Sequence, residues 1–450
     1  MARALPCWFL IAAFLPIAAG ADANHPMPQL TPDARVSAMV AGVDSTRLSQ
    51  SVDTLVNFGT RNDFSENAST ATHGVFGARD WIAAQFRAIA AGTGGRMTVA
   101  LDTYLQPKTK RTPRAVTESS VIATLQGDAP GRIYVMASHF DDCDGSCVDG
   151  DGAAPGADDN ASAVAAVLEA ARATAQTHFR GTIVFACFDG EELGLWGSAH
   201  FASELAARHA PVLAVLNNDI VGETSGGNGE AEPHVVRVFS EGLPAGADRA
   251  DVNATGSEND SPSRELARFV GETVPVYVPD FRVRQIYRAD RFLRGGDQES
   301  FQDQGYAAIR FVEAHENYEH QHQNVRMENG QQYGDLDQFI DAAYLARVTQ
   351  ANVAALATLA LGPAPPTQVR MVTKHLGYAT ELRWETDPSA ASYEVVWRAS
   401  DASQWQYAAD AGDVTNFSVP ASKDDYVFGV RAVDAAGLRS PAVYPVPTKQ

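Results

Sequence analysis

Through the first three quarters of the chain, short apolar runs alternate with longer segments whose apolar residues recur at helical spacing. Residues 132–137, 182–188 and 212–216 are brief, apolar and rich in β-branched or aromatic side chains, which predicts buried strands. Between the first two, residues 162–175 are alanine-rich with a helical apolar repeat. Residues 78–90 and 339–361 predict further helices, the second stopping at Gly362-Pro363. Strand and helix in alternation predict an α/β fold: a three-layer sandwich with a mostly parallel mixed sheet flanked by helices. Beyond the stiff segment Gly362-Pro363-Ala364-Pro365-Pro366 the texture changes. Residues 380–385, 392–398, 405–408, 416–419 and 426–433 predict short strands divided by turn residues, a small all-β sandwich. The expected division is 24–362 for the larger domain and 363–450 for the smaller.

Residues 1–23 have a different character. Arg3 precedes the apolar stretch 8–19, and Ala19-Gly20-Ala21 or Ala21-Asp22-Ala23 offers small residues for cleavage, the pattern of an export signal. The stretch is shorter than the ~20 residues of a membrane span. The chain is therefore expected to be secreted, extracellular or periplasmic, with no membrane insertion after cleavage. Export makes a local disulfide between Cys143 and Cys147 the expectation, while Cys187, inside a predicted strand, reads as a buried thiol. With 55 acidic against 35 basic residues, a net charge of −20 excludes nucleic acid as a partner.

The acidic and histidine residues that matter chemically stand just beyond the predicted strands. His139 follows the first, Glu191 and Glu192 the second, and Asp219 the third; open α/β sheets gather ligands at these carboxyl ends. Asp159 opens the alanine-rich helix, where an acid also serves as an ordinary cap. Adjacent glutamates after an apolar strand are costly unless a positive charge lies between them. Imidazole and carboxylate donors suit zinc, and five of them exceed one tetrahedral ion but suit two ions sharing a bridge. Asp141, two residues past His139, is placed to orient that imidazole. The last histidine is His320 or His322, and spacing to Asn324 selects His320. The loop 142–152, dense in aspartate and glycine, offers calcium as an alternative cofactor, but it lacks the twelve-residue pattern ending in a bidentate glutamate.

Taken together, His139-Phe140-Asp141, Asp159 with Asn160-Ala161-Ser162, Glu191-Glu192-Leu193-Gly194, Asp219 and His320 resemble the co-catalytic zinc aminopeptidases. That group includes the bacterial leucyl-type enzymes and glutamate carboxypeptidase II. The resemblance implies a zinc exopeptidase fold acting on peptide or protein substrates with two zinc ions per chain. It implies that His139 and Asp219 hold one zinc and Glu192 and His320 the other, with Asp159 bridging. Glu191 is then the general base and Asp141 the residue orienting His139. Departures are Ala163 where the family has glycine, and Glu319 and Asn324 around the last histidine. The same fold also houses single-zinc glutaminyl cyclases and carboxypeptidases, and a non-catalytic adhesion or receptor-like protein is the reading outside enzymes. Separately, Leu382-Arg383-Trp384, Tyr393-Glu394-Val395 and the run from Tyr426 to Asp434 resemble a fibronectin type III domain.

Overall fold

The three apolar runs lie side by side in the middle of an eight-stranded sheet. The computed structural model describes residues 26–129, 131–244, 246–374 and 377–448, so the expected export signal lies outside the described residues. The strands are β1 (Met97–Gln106), β2 (Val116–Leu125), β3 (Ile133–His139), β4 (Thr182–Phe188), β5 (Val212–Asn218), β6 (Val235–Phe239), β7 (Arg282–Ile286) and β8 (Ala308–Glu313). Their order across the sheet is β1-β2-β4-β3-β5-β8-β6-β7. Around β3 the pairing is parallel, to β4 and β5, and it stays parallel from β5 to β8 and from β6 to β7. The β1–β2, β2–β4 and β6–β8 pairs are antiparallel. The sheet is thus mixed, with a parallel centre.

Strand periodicity explains the three layers. Tyr134 and Met136 of β3 face one apolar cluster, shared with the helices Ala163–Thr174 and Ala342–Leu361. Val135 and Ala137 face another, shared with Phe201, Leu205 and Phe301 from helices Trp196–Ala207 and Gln298–Gln302. Because both faces are covered, every residue of β4 is buried, and its sequence shows a continuous apolar run instead of alternation. The helix Ala342–Leu361 is capped by the Asp341 carboxylate, which accepts the Ala343 and Tyr344 amides, and it ends at Gly362. No helix among the described residues is long and apolar enough to cross a membrane. Cys143 and Cys147 are joined in a disulfide, and Cys187 is a buried free thiol.

Beyond Gly362 the chain forms a four-stranded and a three-stranded sheet. Their shared core contains Leu382, Trp384, Tyr393, Val395, Trp397 and Phe428. This module is fastened to the large domain by buried charges. Asp260 accepts from Arg268 at 2.9 Å and, from the module, Arg398 at 2.6 and 2.7 Å. Arg431 of the module bonds both Glu272 on the helix Pro262–Tyr277 and the module's own Glu394, each at 2.9 Å. Arg132 at the head of β3 reaches Asp387 at 3.0 Å. These contacts tie the strands beyond the proline-rich stretch to the rest of the chain.

Candidate metal centre

Four of the expected residues emerge at the carboxyl ends of central strands. His139 is the last residue of β3, Asp219 directly follows β5, and Glu191 and Glu192 follow β4 after Asp189-Gly190. Asp159 sits in the turn leading into the helix Ala163–Thr174. A fully buried arginine fixes the approach to that turn: Arg61 donates to the carbonyls of Phe140, Pro155 and Gly156 at 2.7, 2.7 and 2.8 Å. Asp335 receives the Asp158 and Asp159 amides at 2.8 and 2.7 Å. At the end of β5, Gly222 allows a close approach: its N–H reaches the Asp158 carboxylate at 2.6 Å, and an added Cβ would meet that carboxylate at 2.9 Å.

These elements converge on one cluster. His139 Nε2 lies 3.3 Å from Asp159 Oδ1 and 3.6 Å from Asp219 Oδ1. The other Asp159 oxygen, Oδ2, lies 3.1 Å from His322 Nε2, which is also 2.9 Å from Glu192 Oε1. One carboxylate therefore stands between two imidazoles, with one oxygen turned to each. Asp141 accepts the Glu191 and Glu192 amides at 3.2 and 3.0 Å while facing His139 Nδ1 at 3.4 Å. It orients the imidazole and sets the position of the paired glutamates at once. Arg310, fully buried, forms ion pairs with Asp219 at 2.9 Å and with Asp290 at 3.0 Å, fixing Asp219 from behind.

His320, expected as a ligand, is held by other partners in this structure. Both oxygens of Glu223 engage its Nδ1, at 2.7 and 2.9 Å, and its Nε2 lies 3.3 Å from the Asn317 amide. Its ring stacks on Phe339 with centroids 3.7 Å apart. Burial lowers its pKa, which favours the neutral ring. It is His322 that faces Asp159 and Glu192. The intervening turn puts His322 at φ 51°, a left-handed backbone that residue spacing does not reveal.

The cluster carries an excess of negative charge. Burial pushes the Glu191 pKa well above the ordinary value, and Asp219, Glu192 and Asp297 push further, though His139 opposes them. The Glu192 carboxylate drives His322 up to about 12, against burial. Burial works to lower His139, but Glu191, Asp141, Asp159 and Asp219 overcome it and hold the ring well above its usual pKa. Cations are what such a cluster lacks, and the donor chemistry fits zinc. His139 Nε2 is buried without a hydrogen-bond partner and faces two carboxylates. Oxygen and nitrogen atoms of His139, Glu191 and Asp219 come within 4.8 Å of one another, as do those of Glu192 and His322 together with the Cys143 sulfur. That sulfur is in the disulfide, which leaves Glu192, His322 and Asp159 as donors on this side.

Beside the cluster lies a cavity of about 260 Å³ walled by Gly194, Leu195, Ile220, Arg111, Arg291 and Arg294. Arg291 and Arg294 line the cavity, and both also donate to the buried Glu316, at 2.7 and 3.2 Å. In the acidic loop, Asp144 and Asp149 accept the Ser146 and Asp151 amides, contacts that order the turn. Arg61, Arg310 and Asp335 were not legible as site residues, since each is a single charge in an unremarkable stretch of sequence.

Known proteins resemble this chain in sequence and in fold. Residues 120–345 match the pattern described as Peptidase family M28. A protein named as a probable zinc metalloprotease from Leptosphaeria maculans is 43% identical over 423 residues, covering 92% of this chain and 98% of that protein. The structure of the LapA aminopeptidase of Legionella pneumophila superposes with a TM-score of 0.52 at 20% identity, over 72% of this chain and 74% of that one. A glutaminyl cyclase of Macrostomum lignano gives 0.51 at 16% identity, over 74% and 95%. What these two structures share with the chain is the fold.

Proposed function

The chain belongs to peptidase family M28 and is a zinc-dependent peptidase, and from that premise we propose that it is an aminopeptidase with two zinc ions. The observation that carries this reading is the placement of Asp159, one oxygen toward His139 and the other toward His322. His139 and Asp219 would hold one zinc, Glu192 and His322 the other, and Asp159 would bridge. Bound there, zinc supplies a Lewis acid for the scissile carbonyl and a water of lowered pKa.

The protein's own part follows from the positions of its residues. Glu191 takes the proton of the attacking water, and the resulting carboxylic acid protonates the leaving amine. Asp141 holds the Glu191 amide, so base and imidazole keep one relative position. The free α-amine of a peptide is attracted to the carboxylates lining the cavity, Glu299 among them. That attraction selects the N-terminal residue.

Two finer readings belong to the same proposal. The C-terminal module is fibronectin type III-like, supported by its two facing sheets and their aromatic core, with the boundary at 362–363. The protein is secreted, supported by Arg3, the apolar stretch after it and the Cys143–Cys147 disulfide.

Paired peptides, one with a free N-terminus and one acetylated, test the activity on the zinc-loaded full chain. We expect free amino acids from the first alone, loss of release with a chelator, recovery with zinc, and two zinc ions per chain. Equal cleavage of the acetylated peptide, or cyclisation of N-terminal glutamine as the only product, would refute the aminopeptidase reading.

A further inference from the structure

A second group of buried acids lies outside the zinc cluster. Asp63 opens the short helical turn Asp63–Ala68, Glu118 lies on β2, and Asp189 follows β4. They are 2%, 0% and 1% exposed, and one oxygen of each lies within 4.8 Å of the other two. Three carboxylates in so dry a place need a compensating charge or hydrogen-bond donors. Among the described residues they have few of either. Both oxygens of Glu118 lack a hydrogen-bond partner, and so do Oδ1 of Asp63 and Oδ1 of Asp189. Asp189 Oδ2 accepts the Ser119 amide at 2.8 Å. The ion pairs found among the described residues involve none of the three, and Arg79, which acts on Asp189 from a distance, is paired with Asp80. The Tyr104 hydroxyl is also buried without a partner, in the field of Glu118 and Asp189.

We propose that Asp63, Glu118 and Asp189 form a structural site for a hard divalent cation of the calcium type, separate from the zinc centre. The donors are all oxygen, which selects against soft metals and suits calcium, magnesium or manganese. Calcium tolerates an irregular set of oxygen ligands, whereas magnesium needs a near-ideal octahedron and keeps several waters. Unlike zinc, it requires no imidazole or thiolate, and the group contains neither.

The site's place in the fold gives it a purpose. Glu118 Oε2 presses on Gly190, where an added Cβ would come within 2.5 Å, and Gly190 adopts φ 74°. Gly190 directly precedes Glu191 and Glu192. A cation at this point ties the turn at Asp63, the strand β2 and the loop carrying the glutamate pair into one rigid unit. The inference is independent of which peptide bond the enzyme cuts.

The test uses the zinc-loaded full chain, equilibrated with calcium and then freed of loose metal. Elemental analysis should find one calcium per chain beyond the zinc, and Tm should rise saturably as calcium is added. Glu118→Gln and Asp63→Asn should each lose the calcium and the Tm response while retaining zinc. If neither variant folds, the wild-type titration decides. A wild-type protein that takes up no ion beyond zinc, with Tm flat in calcium, magnesium and manganese, overturns the proposal by showing that the three acids share protons instead. Calcium uptake undiminished in both folded variants overturns it equally.

Discussion

Two of the regions in which this molecule buries carboxylates treat them in opposite ways. Where the C-terminal module meets the large domain, each buried acid has its cation or its donors. Asp260 lies between Arg268 and Arg398, Glu394 between Arg431 and Arg439, and Glu265 accepts from Trp405, Tyr444 and the Ala442 amide. Around His139 the carboxylates outnumber the cations and converge on the two imidazoles. The first arrangement is complete in the polypeptide alone and acts as a clamp. The second, on the proposed function, is complete only with metal, and there the fold has given up self-sufficiency for chemistry. The difference also locates Arg310: its guanidinium pairs with Asp219 Oδ2 from behind, leaving Oδ1 turned toward His139.

That contrast can be broken by substitution. The largest effect is expected from Glu191→Gln, which removes the base but leaves the metal donors. Turnover should fall about 10²–10⁴-fold, roughly 3–5 kcal/mol of barrier, with zinc content unchanged. Wild-type turnover in that variant would take Glu191 out of the mechanism. In the clamp, Asp260→Ala strands two buried arginines and should cost about 3–5 kcal/mol in denaturant unfolding. A loss below about 1 kcal/mol would show that the interface is solvated like a surface pair. The histidine assignment is sharpened by comparing His322→Ala with His320→Ala. The first should release one zinc per chain on dialysis, whereas the second should keep both and lose stability by exposing Glu223. The reverse result would return the ligand role to His320.

Glu316 yields a smaller, pH-dependent effect. It lies beside the cavity yet belongs to the paired kind. Burial opposes its ionisation, but Arg291, Arg310, Arg237 and Arg294 bring its pKa from 4.5 to about 2. The folded state therefore holds the proton less tightly than the unfolded chain, so the stabilisation is present above pH 4.5 and is lost as pH falls toward 2. The interval corresponds to roughly 3 kcal/mol. Stability measured against pH should show wild type and Glu316→Gln converging across that acid range and separated above it; parallel curves would contradict the account.

The parts of the fold legible in the sequence are those with a local signature. The segment read as 182–188 is a strand with those bounds, because burial on both faces writes itself as an unbroken apolar run. The strand β1 carries no such signature: at the sheet edge it is largely exposed or half-buried, and its pattern is close to that of a loop. The segments β6 and β7 were missed for a related reason, being five residues each with arginine in the run. Within the site, His139, Asp159, Glu191, Glu192 and Asp219 could be picked out because each follows a recognisable strand or opens a helix. His322 could not be separated from His320, since both lie in one irregular turn and differ only in the direction their rings take.

By itself the sequence determined the alternation of strands and helices, the break at Gly362-Pro363, and the stock of nitrogen and oxygen donors at strand ends. These are properties of neighbouring residues, and burial periodicity encodes them locally. Only the tertiary structure decided which histidine faces Asp159, that Asp141 serves His139 and both glutamate amides, and that Asp63, Glu118 and Asp189 meet. Those outcomes depend on closing long loops onto one sheet. The distance between two side chains far apart in sequence is set by the packing of everything between them.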